Sequence, residues 1–170
     1  MKKLMLILCS VSIIGTVTQA QNIKLGHVDS HAIIQSMPEL EQAQQTLAKY
    51  YKELEDAMEG MVREYRSKAT DLQGKIETLS PALRKAREEE LEDLGRRIES
   101  FRQTAQQDVQ QKEAELQQPI IEKVNAAIEK VGKDQGFTYI FDATPGSGVL
   151  YKSNSATDLT VAVKKELGVQ

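Results

Sequence analysis

Between residues 39 and 118 the apolar positions form a narrow stripe on a charged background. Leu47, Tyr51, Leu54, Met58, Met61, Tyr65, Ala69, Leu72, Ile76 and Leu79 are spaced alternately by four and three, with one additional four at Tyr65 to Ala69. Such a heptad seam with a stutter predicts a helix over 38–79, roughly 60 Å long at about 1.5 Å per residue. Pro38 suits its first turn, where a missing N–H costs nothing, and Glu39 and Glu41 meet the positive end of the helix dipole. Ser80 then caps and Pro81 opens a return helix carrying Leu83, Leu91, Leu94, Ile98, Phe101, Ala105 and Val109. Two runs of similar length joined by a tight turn should pack antiparallel. A hairpin of this kind has little to bury on its own and reads as an arm projecting from a body.

Outside the arm the period changes. Ile23, Leu25 and His27 alternate as in a strand, and Asp29 or Ser30 can cap a short helix carrying Ala32, Ile33 and Ile34. Pro119 marks a kink or a fresh helix start. After it Ile120, Ile121, Val124, Ala127, Ile128 and Val131 make a wider apolar face, suited to a body. Gly136 is a helix stop, and Phe137-Thr138-Tyr139-Ile140-Phe141-Asp142 is the clearest strand. Pro145-Gly146-Ser147-Gly148 reads as a turn and Val149-Leu150-Tyr151 as a short return strand. Thr157 or Asp158 should cap a closing helix that ends at Gly168. The expected class is α+β, predominantly helical. Residues 21–38 and 119–170 would form a small β body, with the coiled-coil hairpin 39–118 inserted in it.

The N-terminus sets the compartment. Lys2 and Lys3 precede an apolar stretch over 4–14, and Thr18-Gln19-Ala20 offers small residues at both cleavage positions. This is a secretory signal peptide, too short to span a bilayer, with cleavage expected after Ala20. The mature chain would be exported and soluble, starting at Gln21. Cleavage removes Cys9, the only cysteine, so neither disulfide nor thiol chemistry remains. Losing Lys2 and Lys3 takes the formal charge from −3 to −5, which makes a poor nucleic-acid binder. With no Trp, 5% aromatics and about half of the mature residues in an arm, the core is small, and oligomerisation is the natural remedy.

Candidate chemistry is sparse. His27 and His31 are four apart, but His27 falls on a strand and no third ligand lies nearby, so packing or surface roles are expected rather than a metal site. Asp142 and Asp158 end a strand and begin a helix, positions that call for turn and cap residues. No phosphate loop, nucleophile elbow or metalloprotease signature occurs. The reading is a non-enzyme without cofactor. The run Arg84-Lys85-Ala86-Arg87-Glu88-Glu89-Glu90 is expected to be a solvated helix face. Tyr50, Met58, Met61 and Tyr65 are read mainly as seam residues, where methionine's flexibility would also suit contact with varied chains.

The order of elements, with these residues, resembles the Skp/OmpH family of periplasmic chaperones. The resemblance is carried by Gly26-His27-Val28-Asp29 before the short helix and Pro38-Glu39, and by Pro119-Ile120-Ile121-Glu122-Lys123-Val124-Asn125. It is carried most specifically by Tyr139-Ile140-Phe141-Asp142, Val149-Leu150-Tyr151, Asp158-Leu159-Thr160 and Val163 in that order. It implies a jellyfish-shaped homotrimer whose small sheets join in a central body while three arms enclose unfolded outer-membrane proteins without ATP. The oligomerisation body would then use Ile23, Leu25, Val28, Tyr139, Phe141, Val149 and Tyr151. Client contacts would be sought among Met58, Met61, Tyr65, Leu72, Ile76, Leu79, Leu83 and Leu91. The best-known members are basic whereas this chain is acidic, which argues against strong attraction to anionic lipid or lipopolysaccharide. The alternative is a structural coiled-coil adaptor or spacer of the cell envelope, binding one folded partner.

Overall fold

The computed structural model describes residues 23–170, so the expected leader and its cleavage site at Ala20 lie outside the described residues. The elements are β1 (Leu25–Val28), α1 (Ser30–Gln35), α2 (Pro38–Lys75), α3 (Pro81–Asp134), β2 (Tyr139–Asp142), β3 (Thr157–Asp158) and α4 (Thr160–Leu167). The chain is α+β and predominantly helical, with a long hairpin and a small sheet.

Four residues of β1 hold the two ends of the chain together. β1 lies between β2 and β3 and runs parallel to both. Leu25 pairs with Tyr139 and Val28 with Asp142 on one side, while His27 pairs with Asp158 on the other. One face of the sheet lies over α1, α4 and the end of α3. Val28, Ile33, Val124 and Val163 are the most deeply buried side chains there, joined by Met37, Ile120, Val131 and Leu159. Close approach depends on two glycines. A Cβ on Gly26 would lie 2.9 Å from both Leu159 Cδ1 and Phe137 Cε1, and one on Gly132 would lie 2.9 Å from Ile140 Cδ1.

Local signals read from the sequence account for most boundaries. Asp29 Oδ1 accepts a hydrogen bond from the Ala32 amide at 2.9 Å and starts α1. Pro38 opens α2, Ser80 caps α3 and Gly168, at φ 74°, closes α4. Pro119 departs from expectation in that α3 does not restart there. The helix runs unbroken for 54 residues with Pro119 inside it. The wide apolar face that follows is anchored in the core, which offsets the hydrogen bond a proline cannot donate.

Two further expectations are corrected. The helix expected to reach Leu79 ends at Lys75, because the Thr78 and Leu79 amides both fold back onto the Lys75 carbonyl. Ile76 and Leu79 therefore belong to the tip turn. Val149-Leu150-Tyr151 is not a return strand. Gly146 and Gly148, at φ 92° and 95°, turn the chain away, and residues 143–156 cross from the β2 edge of the sheet to the β3 edge. The third strand is Thr157–Asp158, two polar residues expected only to cap a helix.

Gly26→Val should destabilise the fold by about 1–3 kcal/mol, because the added methyls overlap Phe137 and Leu159. Gly60→Ala meets open space on α2 and should stabilise it by up to about 1 kcal/mol. Thermal melts followed by circular dichroism would check both signs.

Candidate functional site

The polar groups of the sheet are engaged in holding the chain's ends. Asp142 accepts from the Ser30 hydroxyl at 2.6 Å and the Thr144 hydroxyl at 2.7 Å, joining β2 to the start of α1. Partial burial pushes its carboxyl up, but these bonds and those from the Ser30 and Thr144 amides outweigh it and leave the carboxyl below its ordinary value. Asp158 accepts from the Thr160 amide at 2.9 Å, and Thr160 Oγ1 accepts from the Asp29 amide at 2.9 Å. Asp142 is a turn residue, as expected, whereas Asp158 lies in β3 and braces the turn into α4, whose N-cap is Leu159 without a side-chain bond; the two aspartates do not form a pair.

His27, only 7% exposed, has Nε2 at 3.0 Å from Lys152 Nζ and 3.4 Å from Asp158 Oδ2. His31 is exposed. Among the described residues no group of three or more His, Cys, Asp or Glu side chains could hold a metal ion.

The arm offers surface rather than a reaction centre. α2 and the outer part of α3 run antiparallel, tied near the tip by Lys68 with Glu90 and at the base by Lys123 with Glu39. The Glu90 carboxyl lies below its ordinary value because Lys68, and then Arg87, donate to it. Leu72 and Leu94 are buried where the helices meet, and the Tyr65 ring packs beside Gly95. At the tip Arg84 donates to the Ile76 carbonyl at 2.6 Å and closes the turn. Between these ties the seam is underfilled. A groove of about 710 Å³ opens between Tyr51, Leu54 and Met58 on α2 and Phe101, Ala105 and Val109 on α3.

The client-contact candidates divide accordingly. Leu72, at 9% exposure, zips the hairpin and is not free to grip. Met61, Leu79 and Leu91 are half-buried, and Met58 lines the groove. Tyr65, Ile76 and Leu83 are exposed, Leu83 most of all at 57%. The residues missed as groove lining are Tyr51, Leu54, Phe101 and Ala105, with Val109 buried at its floor; all share the heptad spacing of the closed seam. The available signal was the small Ala105 within a stretch where the stripe thins into glutamines.

The second apolar surface is the sheet's outer face. Tyr139 and Phe141 stack with centroids 6.2 Å apart at 26°, beside exposed Ile23 and Leu25. Val149, Leu150 and Tyr151 extend this surface, with Leu150 fully exposed. Val28 differs from the other residues expected in an oligomerisation body. It is 2% exposed and packs into the core of its own chain.

The chain matches the model of the OmpH-like outer membrane protein family over residues 24–167. It belongs to that family. The chaperone protein Skp of Pectobacterium atrosepticum is 25% identical over 151 residues, covering 85% of each chain. A putative outer membrane chaperone (OmpH-like) from Caulobacter crescentus CB15 superposes with a TM-score of 0.73 at 17% identity, covering 85% of this chain and 83% of that one. At that identity the structural match speaks for the fold alone. The Skp/OmpH family is one of chaperones, not of enzymes.

Leu94→Ala should destabilise the arm by about 2–4 kcal/mol, whereas Leu83→Ser at the exposed tip should change stability by less than about 0.5 kcal/mol. Urea titrations would separate the two. Asp142 gives a pH test. Its lowered value means that its contribution to stability is fully present above the ordinary aspartate value of about 3.9 and is lost as pH falls through the folded-state value. The stability gap between the native chain and Asp142→Asn should therefore be constant near neutrality and close on acidification.

Proposed function

We propose that this chain is an ATP-independent holdase that binds unfolded outer-membrane proteins in the periplasm and keeps them from aggregating. The reading rests above all on the arm's apolar surface. That surface is spread over an open groove and an exposed tip, so it can make many weak contacts without one fixed pocket. Weak contacts in parallel give avidity while letting a client leave when an assembly machine competes for it. Family membership and the chaperone relative support the same role. The leader read from the sequence, with cleavage after Ala20, would export the mature chain, and among the described residues no helix is long and apolar enough to cross a membrane.

The same reading assigns the outer face of the sheet to oligomerisation, as a homotrimer. Ile23, Leu25, Tyr139, Phe141, Val149 and Tyr151 would be covered by neighbouring copies. A contiguous exposed apolar face of this kind on a small body is costly in water unless a partner covers it. Val28 would contribute only by holding β1 in place. The body would comprise residues 21–38 and 119–170, with 39–118 as the arm.

The test is light scattering from an unfolded outer-membrane barrel protein diluted out of urea, without nucleotide. The mature chain should suppress aggregation at about one oligomer per client, and a variant lacking 69–91 should lose suppression while keeping its oligomeric mass. Phe141→Asp should lower that mass by size-exclusion chromatography with light scattering. Unchanged aggregation in the presence of the folded oligomer would refute the holdase reading.

A further inference from the structure

We infer that the groove between α2 and α3 is a binding site for an apolar segment of unfolded polypeptide flanked by lysine or arginine. This rests on the holdase reading and names the class of segment that its arm prefers. The groove exists because the hairpin is tied at both ends and underfilled between them. Toward the tip Leu72 and Leu94 are buried and Lys68 bonds Glu90. Toward the base Lys123 bonds Glu39, and Leu40, Ala43 and Leu47 leave only a smaller gap of about 150 Å³ beside Leu116. Between these ties the small side chain of Ala105 lines the groove together with Phe101 and Tyr51. The space left, about 710 Å³, lies within the range of roughly 300–1,000 Å³ typical of ligand sites.

Charge selects the occupant. From 39 to 118 the arm carries 18 carboxylates against 13 cations, whereas the rest of the described chain carries seven of each. The whole net charge of the described residues therefore lies in the arm. The groove is lined by Glu55 on α2 and Glu113 on α3, with Arg102 its single cation. Among the described residues neither glutamate is paired with a cation, and Glu113 accepts only from Gln117, at 3.0 Å. An extended segment alternates its side chains, so one face can fill the apolar floor while lysines on the other reach Glu55 and Glu113. An acidic segment of equal hydrophobicity meets repulsion there instead.

The test uses the full mature chain and short labelled peptides read by fluorescence anisotropy. One peptide alternates phenylalanine with lysine, a second phenylalanine with glutamate, and a third serine with lysine. The first should bind most tightly and weaken several-fold as salt rises from low to physiological, because exposed charges are screened over roughly 8–10 Å. Ala105→Leu, which fills the groove, should weaken it about tenfold at unchanged helicity and oligomeric mass. Glu55→Gln with Glu113→Gln should abolish the preference for lysine over glutamate while leaving the apolar contribution. Equal binding of the first two peptides, or full affinity in Ala105→Leu, would overturn the inference. So would the absence of peptide binding, as when a second copy of the arm covers the groove. The two readings fail separately. If Ala105→Leu suppresses aggregation as well as the native chain, the groove falls and the holdase stands. If the native chain does not suppress aggregation yet binds the lysine peptide in the groove, the holdase falls and the groove stands.

Discussion

The pairing of β1 with strands from the far end of the chain is the constraint on which everything else depends. Leu25 lies against Tyr139 and His27 against Asp158, so more than a hundred residues must be looped out between partners. A flexible loop of that length would carry a large closure entropy before any contact rewarded it. The hairpin removes most of that burden. α2 spans 38 residues, and α3 needs the same number to come back from Pro81 to Gln118, so the arm returns the chain to its starting level. Lys123 meeting Glu39, 84 positions apart, marks the place where it arrives. The arm is thus a surface held out into solvent and also the device that lets a small sheet close.

Much of this was legible because its causes are local. Pro38, Ser80-Pro81, Asp29, Gly136 and Gly168 act within one turn of helix, and each sits at a boundary as the sequence implies. What was not legible depends on partners distant in the chain. Thr157–Asp158 carries no apolar alternation and becomes a strand only because β1 offers it a free edge. Val149-Leu150-Tyr151 shows the reverse. Its residues ask for burial, and a strand is the usual answer, yet the single chain leaves them exposed. Composition shows that a segment needs cover without showing whether its own chain supplies it.

The same ambiguity runs through the arm. Leu72 and Leu83 look alike in the stripe, but one is sealed against α3 and the other stands in solvent beyond the Ser80 cap. The difference comes from the tip turn. Once α2 stops at Lys75 and Arg84 ties back to the Ile76 carbonyl, the stripe can no longer stay in phase across the bend. A heptad pattern therefore locates the seam without saying where it is closed, and the open stretches are the ones that can serve a client.

How charge is distributed bears on how such arms would behave together. The body is balanced while the arms are acidic, so in an oligomer joined through the sheets the repulsion acts between arms and spares the interface. Exposed like charges repel over about 8–10 Å at moderate salt, a range comparable with the thickness of one helix. Arms closer than that push apart, and arms separated by a client do not feel one another. In such an oligomer, repulsion of this reach would oppose collapse of the space between empty arms without opposing enclosure of a client. A cationic segment inside would lower the repulsion further, so the acidity that disfavours anionic lipid is consistent with a chaperone whose arms remain open until a suitable chain enters.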